Sequence, residues 1–423
     1  MGIKETLEYI HNVKWQGSKP GLERTINLLA AIGNPESKLK FVHIAGTNGK
    51  GSTAACIATV LQKAGYRTGL YTSPYILRFN ERIQIDGEHI PDDELEAMVG
   101  EIKPYADAME DSPTEFEIIT ALAMKYFLHK KAEIVVLEVG MGGALDSTNV
   151  IKTPEVAVIT SIGYDHVAEL GPTIEDIAFA KAGIIKKNCE VVVYGGLPEV
   201  EAVFERTAAE KGAKLTKADF TRIRKQEFSL DGINLGVKPY SDFRLPLNGV
   251  FQPKNATLAI TALEVLREKG YRITDNDITE GLSRVSWQGR FEILGLSPVF
   301  ILDGAHNPQG MQVVADSLKV LFGSRKIVFV IGVMADKDVD SMIESIAPLA
   351  KEFIAVRPNY FRAMDALSLS EKLRKHGAVA AAAETVADGI DRAIGIAGEN
   401  GIVCALGSLY FSADIRDAYN DFS

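Results

Sequence analysis

Residues 41–52 read Phe-Val-His-Ile-Ala-Gly-Thr-Asn-Gly-Lys-Gly-Ser, and this stretch decides the fold. Its first five residues form a short apolar run that contains β-branched side chains, which predicts a buried strand. A glycine-rich turn follows directly, and the apolar segment from Ser52 to Ala64, ended by Gly65, predicts a helix. A strand, a glycine-rich turn and a helix in this order indicate an α/β domain with a parallel sheet.

The turn has the residues of a phosphate-binding loop. Glycines allow successive backbone N–H groups to point at phosphate oxygens, the helix N-terminus adds partial positive charge, and Lys50 adds a full one. Gly46 stands closer to Lys50 than the first glycine does in the Walker A motif, and Gly51 separates Lys50 from Ser52. We predict that Gly49, Lys50, Gly51 and Ser52 bind the phosphates of a nucleotide.

Length and charge limit the remaining classes of protein. A chain of 423 residues exceeds what one hydrophobic core usually supports, so we expect two domains. The formal net charge of −10, without a dense Lys/Arg stripe, argues against a nucleic-acid partner. No apolar run is long enough to span a membrane, and the N-terminus mixes charges, so we expect a cytoplasmic protein without a membrane partner. We also expect a monomer. Cys56, Cys189 and Cys404 are widely spaced in apolar stretches, and we interpret them as core thiols.

Alternating strand-like and helix-like segments predict the domain organisation. A change to short alternating runs between residues 220 and 247 predicts a small antiparallel excursion, such as a hairpin appended to the sheet. We predict a P-loop-containing N-terminal domain with a parallel sheet over residues 1–287 and a smaller Rossmann-like C-terminal domain over residues 288–423. Ligands are expected in the cleft between the two domains. The predicted strands are 41–45, 134–137, 156–159 and 191–193, then 299–302, 327–331, 353–356 and 402–406.

The glycine-rich loop with its extra glycine resembles the Mur ligase superfamily, and within it the folylpolyglutamate synthase and dihydrofolate synthase branch. The resemblance extends nearly to the C-terminus, because further motifs of that branch follow in the same order. They are TSPY at Thr72, NERI at Asn80, TEFE at Thr114, LEVGMGG at Leu137, LDSTN at Leu145, SIGYDH at Ser161, KAGI at Lys181, FQPKNA at Phe251, WQGR at Trp287, LDGAHNP at Leu302 and GSLYF at Gly407.

The resemblance implies an ATP-dependent ligase that joins L-glutamate to a folate carboxylate through an acyl phosphate. It leaves open whether dihydropteroate, an already glutamylated folate, or both are used. A carboxylate is a poor electrophile and must be phosphorylated before an amine attacks it. The charges that meet in this step require screening, for which Mg²⁺ is the usual ion, and two magnesium sites are expected.

Oxygen and nitrogen ligands for magnesium stand where predicted strands end. Glu138 ends the run 134–137, His166 follows the strand 156–159, and Ser73 follows Gly69-Leu70-Tyr71. From the residues alone, a solvated or capping role is favoured for Glu138, and a role other than metal binding is favoured for His166. The resemblance assigns Ser73, Glu138 and His166 as magnesium ligands, and it implies that Lys181 is carbamylated and binds the second magnesium ion.

The later motifs are assigned to ATP and glutamate. The resemblance places Asn255 at the adenine end of ATP, and Arg290 and Asp303 at its phosphates and ribose. It implies that His306 positions the incoming glutamate, although a helix-capping histidine is an equal alternative. The candidate catalytic residues are Lys50, His166, Lys181 and His306.

The resemblance assigns the dihydropteroate ring to Thr114, Glu115, Phe116, Glu117 and Leu145. An aromatic side chain with flanking hydrogen-bonding groups suits a flat heterocycle.

Two positions depart from the commonest pattern of the family. Ala144 stands where an arginine usually follows the paired glycines, and Ala180 stands where a glutamate usually precedes the lysine of KAGI. Neither change removes a predicted magnesium ligand.

Two alternative functions make different demands on the sequence. A Mur ligase for a nucleotide-linked cell-wall precursor needs an additional N-terminal domain, and the 45 residues before Gly46 are too few for one. A regulatory P-loop protein that binds a nucleotide without ligase activity predicts no requirement for Glu138, Lys181 or the second domain.

Overall fold

The computed structural model describes residues 2–13 and 21–422. Contacts between residues divide the chain into two compact units, and each unit is assembled from separate segments. The first unit comprises Met1–Arg222, Val237–Ser241 and Lys254–Val285, and the second comprises Ile223–Gly236, Asp242–Pro253 and Ser286–Ser423. The predicted boundary between residues 287 and 288 lies close to the start of the last segment and stays a prediction.

The first unit contains an eight-stranded sheet with the order β4-β3-β2-β5-β1-β6-β7-β8. From β2 to β8 the neighbouring strands pair in parallel, and β3 and β4 add an antiparallel edge. The strands are β1 (Phe41–Ala45), β2 (Thr68–Tyr71), β3 (Ile83–Ile85), β4 (Glu88–His89), β5 (Ile134–Glu138), β6 (Val156–Ile159), β7 (Glu190–Val193) and β8 (Lys214–Lys217). The predicted parallel sheet is confirmed, and its central strands are buried along their whole length, as in a sheet covered on both faces.

Helices cover this sheet. The helix after the glycine-rich loop begins at Lys50, two residues before the predicted start, so the loop lysine is its first residue. The helices are α1 (Ile3–His11), α2 (Glu23–Ala31), α3 (Lys50–Lys63), α4 (Asp92–Asp107), α5 (Glu115–His129), α6 (Val167–Leu170), α7 (Ile174–Ala182), α8 (Pro198–Lys211), α9 (Gln252–Glu268) and α10 (Asp275–Leu282). A capping box at Thr173 and Asp176 begins α7.

The antiparallel excursion forms a separate three-stranded sheet, ordered β11-β10-β9, with β9 (Ile223–Ser229), β10 (Gly232–Val237) and β11 (Phe243–Leu245). The expectation that it extends the large sheet is wrong. The segment packs elsewhere because its apolar side chains, including Leu230, and the following Phe251 join a core of the second unit. The backbone N–H of Val250 also donates to Ser317 Oγ of that unit, at 3.0 Å.

The second unit has a six-stranded sheet with the order β12-β13-β17-β14-β15-β16. Strand β12 is antiparallel to β13, and the other neighbours are parallel, which confirms a Rossmann-like architecture with one antiparallel edge. The strands are β12 (Glu292–Leu296), β13 (Val299–Leu302), β14 (Ile327–Ile331), β15 (Ala350–Ala355), β16 (Ala380–Ala382) and β17 (Ile402–Leu406). The helices are α11 (Pro308–Phe322), α12 (Val339–Ile346), α13 (Ala366–Lys375), α14 (Val386–Ala397) and α15 (Ser412–Phe422).

Across residues 2–13 and 21–422, every helix is too short or too polar to cross a bilayer.

Candidate active site

The predicted site of the first unit lies at the carboxyl ends of four adjacent strands. The order β2-β5-β1-β6 puts the segments that follow these strands side by side. In the register of the sheet, Ile44 of β1 pairs with Glu138 of β5, and Ala45 pairs with Ile159 of β6. The glycine-rich loop after β1 is therefore flanked by Glu138 on one side and by residues 160–166 on the other, at the edge where open α/β sheets bind ligands.

The glycine-rich loop has the geometry of an anion-binding turn. Gly49 precedes α3 in a left-handed conformation, with φ of 88°, and Gly51 and Ser52 are buried in the first turn of the helix. Lys50 Nζ donates to the carbonyl oxygens of Gly46, at 3.2 Å, and Thr47, at 3.3 Å. The lysine thus folds back over the loop, where its charge can meet a phosphate.

Hydrogen bonds join this loop to the segment after β6. The backbone N–H of Thr47 donates to Ser161 O at 2.9 Å, and the N–H of Gly163 donates to Thr47 Oγ1 at 3.1 Å. Ser161 Oγ donates to Asn48 O at 3.2 Å. Gly46 is required by close approach, because a Cβ atom there would collide with the Thr160 side chain.

Asn255 lies against the loop itself. A Cβ atom at Gly49 would be 2.7 Å from Asn255 Oδ1, and Asn255 is buried. The amide therefore packs beside the residue that begins α3, and a contact of Asn255 with adenine stays a prediction.

Glu138 and Ser73 meet at the ends of β5 and β2. Ser73 N–H donates to Glu138 Oε2 at 3.3 Å, and Glu138 is buried, with 4% of its surface exposed. A buried carboxylate next to a phosphate-binding loop suits a cation, because a buried charge needs a partner of opposite sign.

His166 has a left-handed backbone, with φ of 51°, directly after Asp165. Its N–H donates to Asp165 Oδ1 at 2.9 Å, and its Nε2 lies 3.9 Å from the same oxygen. The imidazole is about one-third exposed, whereas Asp165 is nearly buried. Asp165 thus sets the position of a ring that is accessible to a ligand.

Lys181 reaches the glycine-rich loop from α7. Its Nζ donates to Gly46 O at 2.9 Å, and the side chain is buried. Burial, and after it the positive charge of Lys50, lower the pKa of Lys181 to about 7, although Asp165 and Asp146 act in the opposite direction. The structure therefore brings two lysines of the predicted site to one carbonyl.

Glu138 is a carboxylate donor suited to magnesium. Within residues 2–13 and 21–422, no cluster of three or more His, Cys, Asp or Glu side chains could hold a metal ion. Mg²⁺ is usually bound by one or two carboxylates together with water and substrate phosphates. The buried Glu138 carboxylate matches that pattern, and Ser73 and His166 as further ligands stay predictions.

The TEFE segment contains both structural and accessible residues. Thr114 caps α5, and Glu117 Oε2 accepts the Thr114 N–H at 2.7 Å. Arg24 Nη2 lies 2.8 Å from Glu117 Oε1, so the buried Glu117 carboxylate is already paired within the fold. Phe116 packs beside Tyr71 and against Gly140.

Two other residues assigned to the dihydropteroate ring are more accessible. Glu115 lies 3.3 Å from His11 Nδ1, and Leu145 is 60% exposed. All contacts with the ring stay predictions.

In the second unit, Arg290, Asp303 and His306 gather around Gly304. Asp303 follows β13, and its two oxygens accept the N–H groups of Phe291, at 2.7 Å, and Ala305, at 2.6 Å. Burial raises the pKa of Asp303. The Arg290 guanidinium lies against Gly304, and His306 Nδ1 donates to Gly304 O at 2.8 Å.

A buried network near the site was missed from the sequence. His43 in the centre of β1 has its Nε2 2.9 Å from Thr148 Oγ1, which donates to Asp146 Oδ1 at 2.5 Å. Asp146 Oδ2 accepts the N–H of Met141. Burial lowers the pKa of His43 to about 3, so the ring is neutral. The available signal was a histidine within an otherwise apolar strand.

Comparisons with known proteins agree with this architecture. The Mur ligase middle domain matches residues 44–263, and the Mur ligase glutamate ligase domain matches residues 289–409. A Bacillus subtilis protein named dihydrofolate synthase/folylpolyglutamate synthase is 39% identical over 98% of each chain.

Solved structures of similar proteins have the same fold along nearly the whole chain. A Mycobacterium tuberculosis folylpolyglutamate synthase complexed with ADP has a TM-score of 0.91 and 30% identity, covering 99% of this chain and 98% of the other. Escherichia coli FolC in complex with DHPP and ADP has a TM-score of 0.88 and 30% identity, covering 100% of this chain and 98% of the other.

The fold, the phosphate loop and these similarities define an ATP-dependent, amide-forming ligase of the Mur ligase type. Within that class, the chain belongs to the folylpolyglutamate synthase and dihydrofolate synthase family. The predicted family, fold class and enzyme class are thereby confirmed.

Proposed function

We propose that the chain adds L-glutamate to a folate carboxylate at the expense of ATP, and that it also accepts dihydropteroate. The observation that carries the proposal is the convergence of Lys50 and Lys181 on Gly46 O, beside the buried Glu138. Both activities stand in the name of the Bacillus subtilis relative, and the Escherichia coli structure contains DHPP together with ADP.

The first step transfers a phosphoryl group. The glycine-rich loop and Lys50 hold the phosphates of ATP, and the substrate carboxylate attacks the γ-phosphorus, which releases ADP and leaves an acyl phosphate. Lys50 stabilises negative charge that develops on the phosphate oxygens. Magnesium, for which Ser73, Glu138, His166 and Lys181 are the proposed ligands at two sites, supplies further screening of the same charges.

The second step forms the amide. The neutral amine of glutamate attacks the acyl carbon, the C–N bond forms, and inorganic phosphate leaves with the electron pair of the C–O bond. The nitrogen releases one proton to solvent. We propose that Arg290 and Asp303 bind the phosphates and ribose of ATP and that Asn255 binds its adenine end. His306 is proposed to position the incoming glutamate. Thr114, Glu115, Phe116, Glu117 and Leu145 are proposed for the pteridine ring.

Carbamylation of Lys181 is part of the proposal, and the resemblance to the family is its source. The burial of this amine at Gly46 O supports a modification that converts a cation into an oxygen ligand. Intact-mass measurement of the native protein in bicarbonate tests it. We further infer that the protein acts as a cytoplasmic monomer whose partners are small molecules.

Product analysis tests the proposed function. Purified protein is supplied with ATP, Mg²⁺ and glutamate, and dihydropteroate and tetrahydrofolate are offered separately. Mass spectrometry should detect addition of one or more glutamate residues to each acceptor, with phosphate release that requires both co-substrates. Phosphate release that is independent of acceptor and glutamate would instead favour a regulatory P-loop protein.

A further inference from the structure

A cavity of about 390 Å³ lies beside α7 and α8 in the first unit. This volume falls within the range of about 300–1,000 Å³ that is usual for small-molecule sites. We call it the lysine cavity, because the side chains that give it its character are Lys186, Lys187 and Lys211, together with Ala144 and Phe179.

The lysine cavity carries an excess of positive charge. Its lining contains these three lysines and a single acidic residue, Glu210, which leaves two positive charges in excess. In the described part of the chain, no carboxylate lies within ion-pair distance of Lys186, Lys187 or Lys211. Other lysines of this unit, such as Lys63 at 2.5 Å from Glu280, are paired.

The charges in the lysine cavity also act on each other. Burial, and then the nearby charge of Lys211, lower the pKa of Lys186, whose Nζ donates to Asn149 O at 3.0 Å. Neighbouring cations that outnumber the single carboxylate of the lining favour an anionic ligand.

Helix α7 connects the lysine cavity to the phosphate loop. Ala144 lines it, and the Ala144 N–H donates to Ala180 O at 2.8 Å. The next residue, Lys181, donates to Gly46 O, whereas Phe179 and Ala182 of the same helix line the cavity. One helix therefore forms both a wall of the cavity and a contact with the loop.

The chemistry of the lining favours carboxylates spread along a chain. Compact phosphates are commonly bound by backbone N–H groups at the beginning of a helix. Here the lysines are side-chain cations at or just beyond the carboxyl ends of α7 and α8. Separate ammonium groups on flexible stems suit several carboxylates at variable spacing.

We propose that the lysine cavity binds a polycarboxylate, namely the γ-linked glutamyl chain of a folate that already carries several glutamate residues. The identity of this ligand rests on the proposed function. Each γ-linked glutamate keeps a free α-carboxylate, so a longer chain presents a row of negative charges to the three lysines.

Steady-state kinetics tests the proposal with two triple variants. K186Q/K187Q/K211Q removes the cations of the lysine cavity, and K63Q/K214Q/K217Q removes three ion-paired lysines of the same unit as a matched control. In the cavity variant, the KM for a tetraglutamylated folate should rise about tenfold, because charge-assisted contacts are lost. Its KM for the monoglutamate, and both KM values of the control variant, should change less than about twofold.

An equal change in the two KM values of the cavity variant, or no change in either, would overturn the proposal. Thermal melting curves establish that each variant is folded before kinetics are interpreted.

Direct binding separates this inference from the proposed function. Pteridine-free tetra-γ-glutamate is titrated into the full chain by calorimetry, with wild type and both triple variants. Binding that is lost only in the cavity variant supports the lysine cavity as the binding site of the glutamyl chain. This result stands even if the wild type adds glutamate to no folate and the proposed function is wrong. Absence of binding to the wild type, or equal binding to the cavity variant, rejects the lysine cavity as that site.

Discussion

Lys50 and Lys181 donate to the same oxygen atom, the carbonyl of Gly46, at 3.2 and 2.9 Å. The two lysines come from different helices, α3 and α7. Burial, and after it the charge of Lys50, lower the pKa of Lys181, which favours the neutral amine that carbamylation requires.

Replacement of Lys50 by alanine should abolish turnover of ATP. We expect kcat to fall by at least about 100-fold, because the charge that stabilises the transferring phosphoryl group is removed. Lys63→Ala, at the other end of α3, is the control and should keep wild-type activity. Phosphate release in the presence of folate and glutamate measures both. Turnover retained in Lys50→Ala would show that the loop is not the ATP site.

Glu138→Gln should change the requirement for magnesium. The amide keeps the shape of the side chain but loses the charge, so we expect a higher Mg²⁺ concentration for half-maximal activity and a fall in kcat of about 100-fold. Glu133→Gln, just before β5, removes an exposed carboxylate and should behave like the wild type. Titration of activity with Mg²⁺ measures both variants. A magnesium dependence of Glu138→Gln equal to that of the wild type would show that Glu138 is not a magnesium ligand.

Gly46→Ala should disable the phosphate loop through sterics alone. An added Cβ would collide with the Thr160 side chain, so the loop must shift, and we expect kcat/KM to fall by about 100-fold or more. Gly100→Ala in α4 meets no atom within 4 Å and should be neutral or stabilising, by up to about 1 kcal/mol. Fluorescent-nucleotide binding and thermal melting report on the two variants, and normal nucleotide affinity in Gly46→Ala would contradict the argument.

His43 predicts how stability depends on pH. Its pKa of about 3 in the folded state is below the value of about 6.5 for an unfolded histidine, so the unfolded chain binds a proton first as pH falls. The free energy of unfolding should therefore fall as pH decreases below about 6.5. Between pH 7.5 and 5, we expect His43→Val to lose about 2 kcal/mol less than the wild type. Urea unfolding at both pH values measures the free energy of unfolding of the two proteins. Equal losses in His43→Val and the wild type would contradict the prediction.

The two departures from the family pattern should be energetically coupled. Ala144 N–H donates to Ala180 O at 2.8 Å, so an arginine at 144 and a glutamate at 180 would start from neighbouring backbone positions. We expect A144R and A180E each to lower kcat/KM, and A144R/A180E to recover about 0.5–2 kcal/mol of the combined loss. A cycle of four kcat/KM values measures the coupling, and simple additivity would argue against a pair.

The local parts of the fold were predictable from sequence. The strand that ends at Ala45, the loop at Lys50 and the following helix are specified by neighbouring residues, and Glu138 followed from its place at the end of a strand. The packing of these elements against one another was not predictable from sequence. The position of β9 to β11 depends on which hydrophobic core Leu230 and Phe251 join. The alternating sequence pattern of these strands does not indicate which core that is.

Contacts with residues distant in sequence also determine which site residues are accessible to a ligand. Glu117 is paired with Arg24, 93 residues earlier, so a motif that looked like substrate contacts includes a carboxylate used by the fold. His43 gave no recognisable motif, because its partner Thr148 lies 105 residues away. Contacts at such distances follow from packing and not from spacing.

The bonds between Thr47 or Asn48 and residues 161–163 have a consequence for biosynthesis. The loop is encoded early in the chain, but its partners are about 113–116 residues further on. A nascent chain on the ribosome must therefore emerge beyond β6 before the loop can acquire its final shape. Competence to bind nucleotide therefore cannot precede the synthesis of Gly163, although Thr47 of the loop is made 116 residues earlier.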